Sequence, residues 1–300
     1  MKCTVFLHST TGNTRLIARY AARRVEAAGH ECALVDITRL SEAPPLDGID
    51  LLGFACPSMY WRPSMTMERF VARLPSAAPS GRPVFQLATA GGDPGAHFAL
   101  LAEQLEHKGW LTLGAYFVPM VNNWPPHRAL ADRIPYARIV TTSLTERKPS
   151  LRANLSNLCP DLGEPEARHR DGLDAFLARM LDMAARGDFS ARKAPASLWK
   201  GNRAMYAMGR LMTVEQMRKG SSIRIDPERC TRCGVCVKLC PVGCLTRSGE
   251  DEVPSVGGNC TGCWTCHNHC QDRAISGFGA PAGAGRYGGP SAEVRRLFGA

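Results

Sequence analysis

Cys230-x2-Cys233-x2-Cys236-x3-Cys240-Pro241 and Cys260-x2-Cys263-x2-Cys266-x3-Cys270 are two runs with one spacing, and each cysteine of the first reappears thirty residues later in the second. Three thiolates at two-residue gaps in a tight loop can hold three irons of a cubane cluster. The same loop cannot fold back sharply enough for its fourth cysteine to reach the last corner, so the fourth serves the other cluster. The spacing therefore predicts two [4Fe-4S] sites, one from Cys230, Cys233, Cys236 and Cys270, the other from Cys260, Cys263, Cys266 and Cys240. A zinc ribbon needs two pairs of ligands and would leave four of these cysteines without a role. A disulfide framework belongs to a secreted setting. Cys244 falls outside the set, and its repeat mate is Ala274. It reads as a small buried residue, with a spare thiolate beside a cluster as the alternative. His267 and His269 interleave with the second run, but all eight corners are filled. They are read as packing residues or hydrogen-bond donors.

Residues 223–278, which carry both runs, resemble the bacterial ferredoxin with two [4Fe-4S] clusters. The resemblance implies a small α+β domain there.

The chain of 300 residues has room for about two domains with sizeable cores. No apolar run is long enough to cross a bilayer. The opening Met1-Lys2-Cys3-Thr4-Val5-Phe6-Leu7 reads as a strand and not as a secretory core. Thirteen cysteines without an export signal suggest a reducing, cytoplasmic setting. The formal charge is +10, but two clusters with their thiolates and one flavin phosphate would lower it to roughly +4. No run resembles a nucleic-acid arm, so the remaining excess points to a redox protein partner with an acidic docking surface.

Residues 1 to about 125 alternate short apolar runs with helix-period segments, as a parallel sheet with crossover helices requires. Strands are expected near 2–8, 32–37, 50–56, 83–89 and 111–119. In the first helix Leu16, Ile17, Tyr20, Ala21, Val25 and Ala28 share one face, Arg19, Arg23 and Arg24 the other, and Gly29 ends it. Five such strands suit a doubly wound sheet with its ligand at the strands' carboxyl ends.

Three loops are expected at that edge. Ser9, Thr10, Thr11, Gly12, Asn13 and Thr14 join the first strand to the first helix, where hydroxyls, N–H groups and the helix dipole favour a phosphate. The loop lacks the lysine of a nucleotide triphosphate site, so a phosphate monoester fits it better. Pro57, Ser58, Tyr60 and Trp61 lie in the second loop, where the two aromatics could stack on a flat ring. Thr89, Gly91, Gly92 and Gly95 lie in a third loop bare enough for its backbone to approach a ligand edge. The plainer alternatives are a well-capped turn for the first loop, since Thr, Asn and Gly are common there, and surface or interface aromatics for Tyr60, Trp61 and Trp124.

The Ser9-x-Thr11-Gly12-Asn13-Thr14 loop resembles the FMN phosphate loop of flavodoxins. With Pro57 and Tyr60, the Gly91-Gly92-x-Pro94-Gly95 loop and Met120-x-Asn122-Asn123, the chain is similar to the flavodoxin-ferredoxin fusion family, ferredoxins with a flavodoxin-like N-terminal region. That resemblance implies a flavodoxin-like doubly wound parallel five-stranded sheet with FMN at these loops.

A helix is expected at 166–186, with Leu173, Phe176, Leu177, Met180, Leu181 and Ala184 on one face. Beyond it Met205, Met208, Leu211 and Met212 recur at helical spacing in a basic stretch, read as a helical connector or, alternatively, a docking surface. From Gly277 the chain is rich in Gly, Ala and Pro and is expected to be disordered up to a short turn at Ala292–Phe298. The expected organisation is a flavodoxin-like domain at 1–150, a helical connector at 151–220, a ferredoxin domain at 221–278 and a flexible tail at 279–300.

No residue set forms a catalytic acid, base or nucleophile. The reading is an intracellular electron-transfer protein that passes electrons between FMN, two [4Fe-4S] clusters and a partner oxidoreductase. Two alternatives stay open. One is a flavin-dependent reductase of a quinone or nitro compound; the other is a ferredoxin whose N-terminal domain lacks flavin and docks a partner.

Overall fold

The computed structural model describes residues 1–77, 81–133, 164–198 and 201–300. The stretch 134–163 contains the expected 150/151 boundary and Cys159, and it lies outside the described residues. Two compact units emerge among the described residues: those of 1–120, 164–211 and 290–300 form the first, and 121–133 with 212–289 the second.

The first unit is built on β1 (Lys2–Leu7), β2 (Glu31–Asp36), β3 (Leu51–Met59), β4 (Arg62–Pro63), β5 (Arg82–Ala90) and β6 (Trp110–Pro119). The sheet order is β2-β1-β3-β5-β6, and every neighbouring pair along that path is parallel. The short β4 folds back antiparallel on β3. Leaving β4 aside, the order is 2-1-3-4-5, so the unit is a flavodoxin-like doubly wound fold. The strands match the sequence expectation to within a residue or two at most ends. β3 runs three residues further than expected, because Ser58 and Met59 pair with Pro63 and Arg62 across a hairpin that apolar patterning does not announce.

Helices α1 (Asn13–Ala27), α2 (Met65–Arg73) and α3 (His97–His107) cross between the strands. On one face, α2 and α3 pack Met67, Phe70, Leu101 and Leu105 against Phe6, Phe54 and Trp110. On the other, Leu16, Ile17, Tyr20, Ala21 and Val25 of α1 face the sheet as their periodicity predicts; Ala28, expected with them, is exposed because α1 ends at Ala27, and Arg19, Arg23 and Arg24 do not enter the core.

Counted along the chain, α4 (Pro125–Arg133) belongs to the second unit, and α5 (Ala167–Arg186) and α6 (Arg203–Leu211) to the first. α5 carries the apolar face that was expected, but as part of a domain core and not as a connector. Leu173, Phe176, Leu177 and Met180 are buried beside α1, and Phe176 meets Phe85 edge-on with ring centroids 6.2 Å apart. Burying four such side chains contributes on the order of 6–12 kcal/mol before entropy is charged. The end of the chain is likewise no free tail. α10 (Ala292–Leu297), the last helix, is capped by Ser291 Oγ, which accepts from Val294 N. It buries Val294 and Phe298, and Phe298 packs edge-on against Tyr20 at 5.2 Å.

The second unit holds α7 (Val214–Ser221), β7 (Arg224–Ile225), α8 (Val235–Lys238), β8 (Leu245–Thr246), β9 (Ser255–Val256), α9 (Thr265–His269) and β10 (Ile275–Ser276). β7 pairs with β10 and β8 with β9, both antiparallel; the first pair joins the segments on the outer sides of the two runs, and the second is a hairpin between them. The thirty-residue repeat is visible in the backbone. Left-handed φ values fall at Arg232 and Gly262, at Gly234 and Trp264, and at Gly243 and Arg273. Lys238 N donates to Gly234 O as Asn268 N does to Trp264 O, both at 3.0 Å. Asn123 joins this unit through its carbonyl, which accepts from Asn268 Nδ2 at 3.3 Å. Among the described residues no helix is long and apolar enough to cross a membrane.

Candidate functional site

The second unit contains two cavities, and each is lined by four of the expected cysteines. Cys230, Cys233, Cys236 and Cys270 line one, together with Ile225, Pro254 and Ile275. Cys240, Cys260, Cys263 and Cys266 line the other with Cys244, Ile223, Leu245 and Val256. The chain thus carries Cys270 to the first group and Cys240 to the second, the crossed arrangement that the spacing predicts. Among the described residues no group of three or more His, Cys, Asp or Glu is placed to hold a single metal ion.

The two groups differ in exposure. Cys233 is exposed, whereas Cys260 and Cys266 are each 8% exposed. Burial pushes the Cys266 thiol well above its ordinary range. Deprotonation there calls for a bound positive charge, which iron supplies to a coordinating thiolate. The fourth cysteine of each run accepts a backbone N–H: Cys244 N donates to Cys240 Sγ at 3.2 Å, and Ala274 N to Cys270 Sγ at 3.3 Å. Such bonds stabilise a thiolate and tune a metal held by it.

Cys244 is buried, lines the second cavity, and its Sγ lies 3.5 Å from Cys240 Sγ. His269 is exposed, whereas His267 is fully buried and meets Trp264 edge-on at 5.4 Å. Trp264 Nε1 and His267 Nδ1 are buried and have no hydrogen-bond partner among the described residues. Trp264 lines the second cavity. Four thiols brought to one cavity and backbone N–H groups on sulfur suit a sulfide-rich, anionic cluster, and the residues fit the group.

In the first unit the three expected loops lie at the carboxyl ends of β1, β3 and β5, which are consecutive in the sheet. Gly12 has φ 95°, a conformation glycine adopts without steric cost, and opens α1. Ser9 Oγ accepts from Gly12 N and Arg15 N, both at 3.2 Å, so Ser9 shapes the loop from within. Thr10, Thr11, Asn13 and Thr14 are all buried. Thr14 Oγ1 lies 2.8 Å from Thr89 Oγ1 and joins the first loop to the third. Ser58 Oγ donates to Pro94 O at 3.0 Å and joins the second to the third. Pro57 sits beside Thr89 in the register of β3 and β5.

Tyr60 and Trp61 form the tip of the β3–β4 hairpin, with φ values of 53° and 63°. Left-handed conformations at both central residues define a type I′ turn, which usually takes Asn or Gly. Trp61 O accepts from Ala96 N at 2.8 Å. A Cβ on Gly95 would lie 2.5 Å from Trp61 Cβ and 2.8 Å from Met205 O, and a Cβ on Gly209 would collide with the Trp61 carbonyl. The hairpin tip is therefore held against α6, which is itself anchored where Asp93 Oδ2 accepts from Asn202 N at 2.8 Å. Gly91 and Gly92 lie in the same loop, half-buried.

Polar residues that patterning did not single out lie close by in the chain. His8 Nδ1 is 2.7 Å from Ser64 Oγ, and both are buried. Cys56 Sγ lies 3.7 Å from His97 Nε2 at the base of the second loop. Arg62 clasps Glu68 through Nε and Nη2 at 3.2 and 2.9 Å. Burial holds His8 at about 4 and His97 at about 3, so both imidazoles are neutral. A buried His next to a strand end was legible only as an apolar-run terminus.

Residues 223–246 match the family model described as the 4Fe-4S binding domain, which covers the first cysteine run. No curated protein matches the chain. Among solved structures, the sheet unit is similar to the two-electron reduced flavodoxin of Megasphaera elsdenii, at 23% identity and TM-score 0.34, over 39% of this chain and 85% of that one. It is also similar to a flavodoxin from the domain Archaea, at 20% identity and TM-score 0.32, over 37% and 78%. A third is flavodoxin 1 of Bacillus cereus, at 16% and 0.32, over 39% and 84%. The fold assignment rests on the strand order itself. A redox role in electron transfer follows from the 4Fe-4S match.

Proposed function

We propose that the protein is an electron carrier with two [4Fe-4S] clusters, one held by Cys230, Cys233, Cys236 and Cys270 and the other by Cys240, Cys260, Cys263 and Cys266. The observation that carries this reading is the pair of cavities, each lined by three thiols of one run and the fourth thiol of the other. Each cluster supplies one-electron chemistry when bound. The protein's part is to position the thiols, donate N–H groups to Cys240 and Cys270, and screen the second site from water behind Trp264.

The proposal extends to FMN at the three loops of the first unit, as in the flavodoxin-ferredoxin fusion family. The stitched loops at the ends of β1, β3 and β5 support it. A flavin takes up two electrons in single steps and clusters exchange one, so a chain with both can pool or split electrons for a partner oxidoreductase.

The test is iron and acid-labile sulfide on anaerobically purified or reconstituted protein, with a visible spectrum. About eight irons per chain are expected. A value near four would reduce the reading to one cluster. Flavin bands over the cluster absorption are expected as well, and their absence after incubation with FMN would favour a docking domain without flavin.

A further inference from the structure

The guanidinium of Arg286 is half-buried and makes four hydrogen bonds. Its Nε donates to Cys270 O at 3.3 Å, Nη2 to Ile275 O at 3.1 Å, and Nη1 to Ala284 O at 2.6 Å and to His267 Nε2 at 2.8 Å. Three of these acceptors are neutral carbonyls and the fourth is an imidazole. Arginine only donates, so His267 accepts at Nε2 and carries its proton on Nδ1. Among the described residues no carboxylate pairs with Arg286. A cation withdrawn from water without a counter-charge is unfavourable, and burial lowers the guanidinium's affinity for its proton.

The position of this charge accounts for it. Cys270 belongs to the first group of thiols, and His267 follows Cys266 of the second. Arg286 therefore grips a backbone segment that gives Cys266 to one site and Cys270 to the other, as residues 236–240 also do with Cys236 and Cys240. Four thiolates around an oxidised cubane core carry a net charge of about −2, and reduction adds one more negative charge. The thirty-residue repeat has no counterpart for this contact, since Val237 stands in the first run where His267 stands in the second.

Resting on the two-cluster reading above, we infer that Arg286 is a positioning residue that sets the reduction potentials of the cluster sites, its fixed positive charge favouring their reduced states. The charge supplies the missing counter-ion for both sites and, through Cys270 O and His267, holds the segment between them in register.

The experiment is a potentiometric titration of the full chain with its clusters, followed by EPR of the reduced clusters and accompanied by iron counts. The proteins are the wild type, Arg286→Gln, Arg286→Lys and Lys219→Gln, the last removing an exposed charge paired with Glu215. Arg286→Gln should disfavour reduction of at least one cluster about tenfold, a fall of about 59 mV for a one-electron couple. Arg286→Lys should keep most of the wild-type potential, and Lys219→Gln should not move it. Equal shifts in Arg286→Lys and Arg286→Gln, or no shift in either, would overturn the inference. Ala284→Asp places a carboxylate beside the guanidinium and leaves Arg286 in place, which covers the case in which Arg286→Gln loses iron. Its potential should fall, and an unchanged potential would again overturn the inference. Wild-type protein without iron would instead defeat the two-cluster reading, before any variant is compared.

Discussion

Thr14 and Thr89 meet hydroxyl to hydroxyl at 2.8 Å, with exposures of 1% and 2%, and so tie the first turn of α1 to the end of β5. One hydroxyl must donate and the other accept, so each depends on its partner. Thr14→Val alone should cost about 1–3 kcal/mol, because the hydroxyl of Thr89 is then buried without its mate. Thr14→Val with Thr89→Val replaces both by groups of similar shape and should recover most of that loss. Denaturant midpoints of the four proteins measure the coupling. Strictly additive losses would show that the two hydroxyls do not depend on each other.

Cys244 tests the assignment of thiols to clusters. Its Sγ stands 3.5 Å from Cys240 Sγ, near enough for a ligand to be misassigned. The repeat argues for another role, because Ala274 occupies the same place in the second run and its N–H serves Cys270 as that of Cys244 serves Cys240. The backbone group is what both halves share. Cys244→Ala should therefore keep about eight irons per chain, whereas Cys240→Ala or Cys263→Ala should lose or degrade one cluster and leave the sheet unit folded. Iron counts with far-ultraviolet circular dichroism decide this. A Cys244→Ala protein with half its iron would make Cys244 a ligand.

His8 gives the sheet unit a pH dependence of known sign. Burial lowers its pKa from 6.5 to about 4, and the nearby charge of Asp36 opposes that shift only in part. The folded state thus binds this proton less tightly than the unfolded chain. The contribution to stability is fully present above pH 6.5 and is lost as pH falls from there toward 4. A shift of this size corresponds to about 3 kcal/mol. His8→Gln keeps a polar partner for Ser64 and removes the titration, so its unfolding midpoint should vary less than the wild type's between about pH 7 and pH 5. Equal slopes in the two proteins would mean that His8 binds its proton as readily in the folded state as in the unfolded chain.

Much of this architecture was legible in the chain because it rests on local signals. The stripe from Leu16 to Val25 needs only a 3.6-residue period, and the strands needed only short apolar runs between breakers. The cysteine runs carry their own geometry. What stayed hidden depends on partners far away in sequence. The apolar face of α5 was plain, but nothing local says that Phe176 packs on Phe85 and makes the helix part of the sheet's core. Val294 and Phe298 sit in a Gly- and Pro-rich context that masks their burial. Gly209 looks like a weak point in a helix until the Trp61 carbonyl is found where a Cβ would be. Ser9 Oγ accepts two N–H groups of its own loop, a contact that no periodicity announces.

The first loop is where the flavin reading is tested. Thr11 precedes Gly12 and Thr14 lies in the first turn of α1, where a phosphate is expected. Thr11→Val with Thr14→Val removes both hydroxyls and leaves the backbone and Gly12 unchanged. Hydrogen bonds to a charged group contribute roughly 1.5–3 kcal/mol each, so FMN affinity should fall at least tenfold. Riboflavin lacks the phosphate and should bind both proteins about equally weakly. The stability lost with the Thr14–Thr89 bond is a separate effect, so both proteins are titrated under conditions in which far-ultraviolet circular dichroism shows them folded. The measurement is a fluorescence titration of flavin-free protein with FMN. Equal affinity in the wild type and the double variant would make the loop a helix cap alone, and the first unit would then stand as a docking domain for a partner.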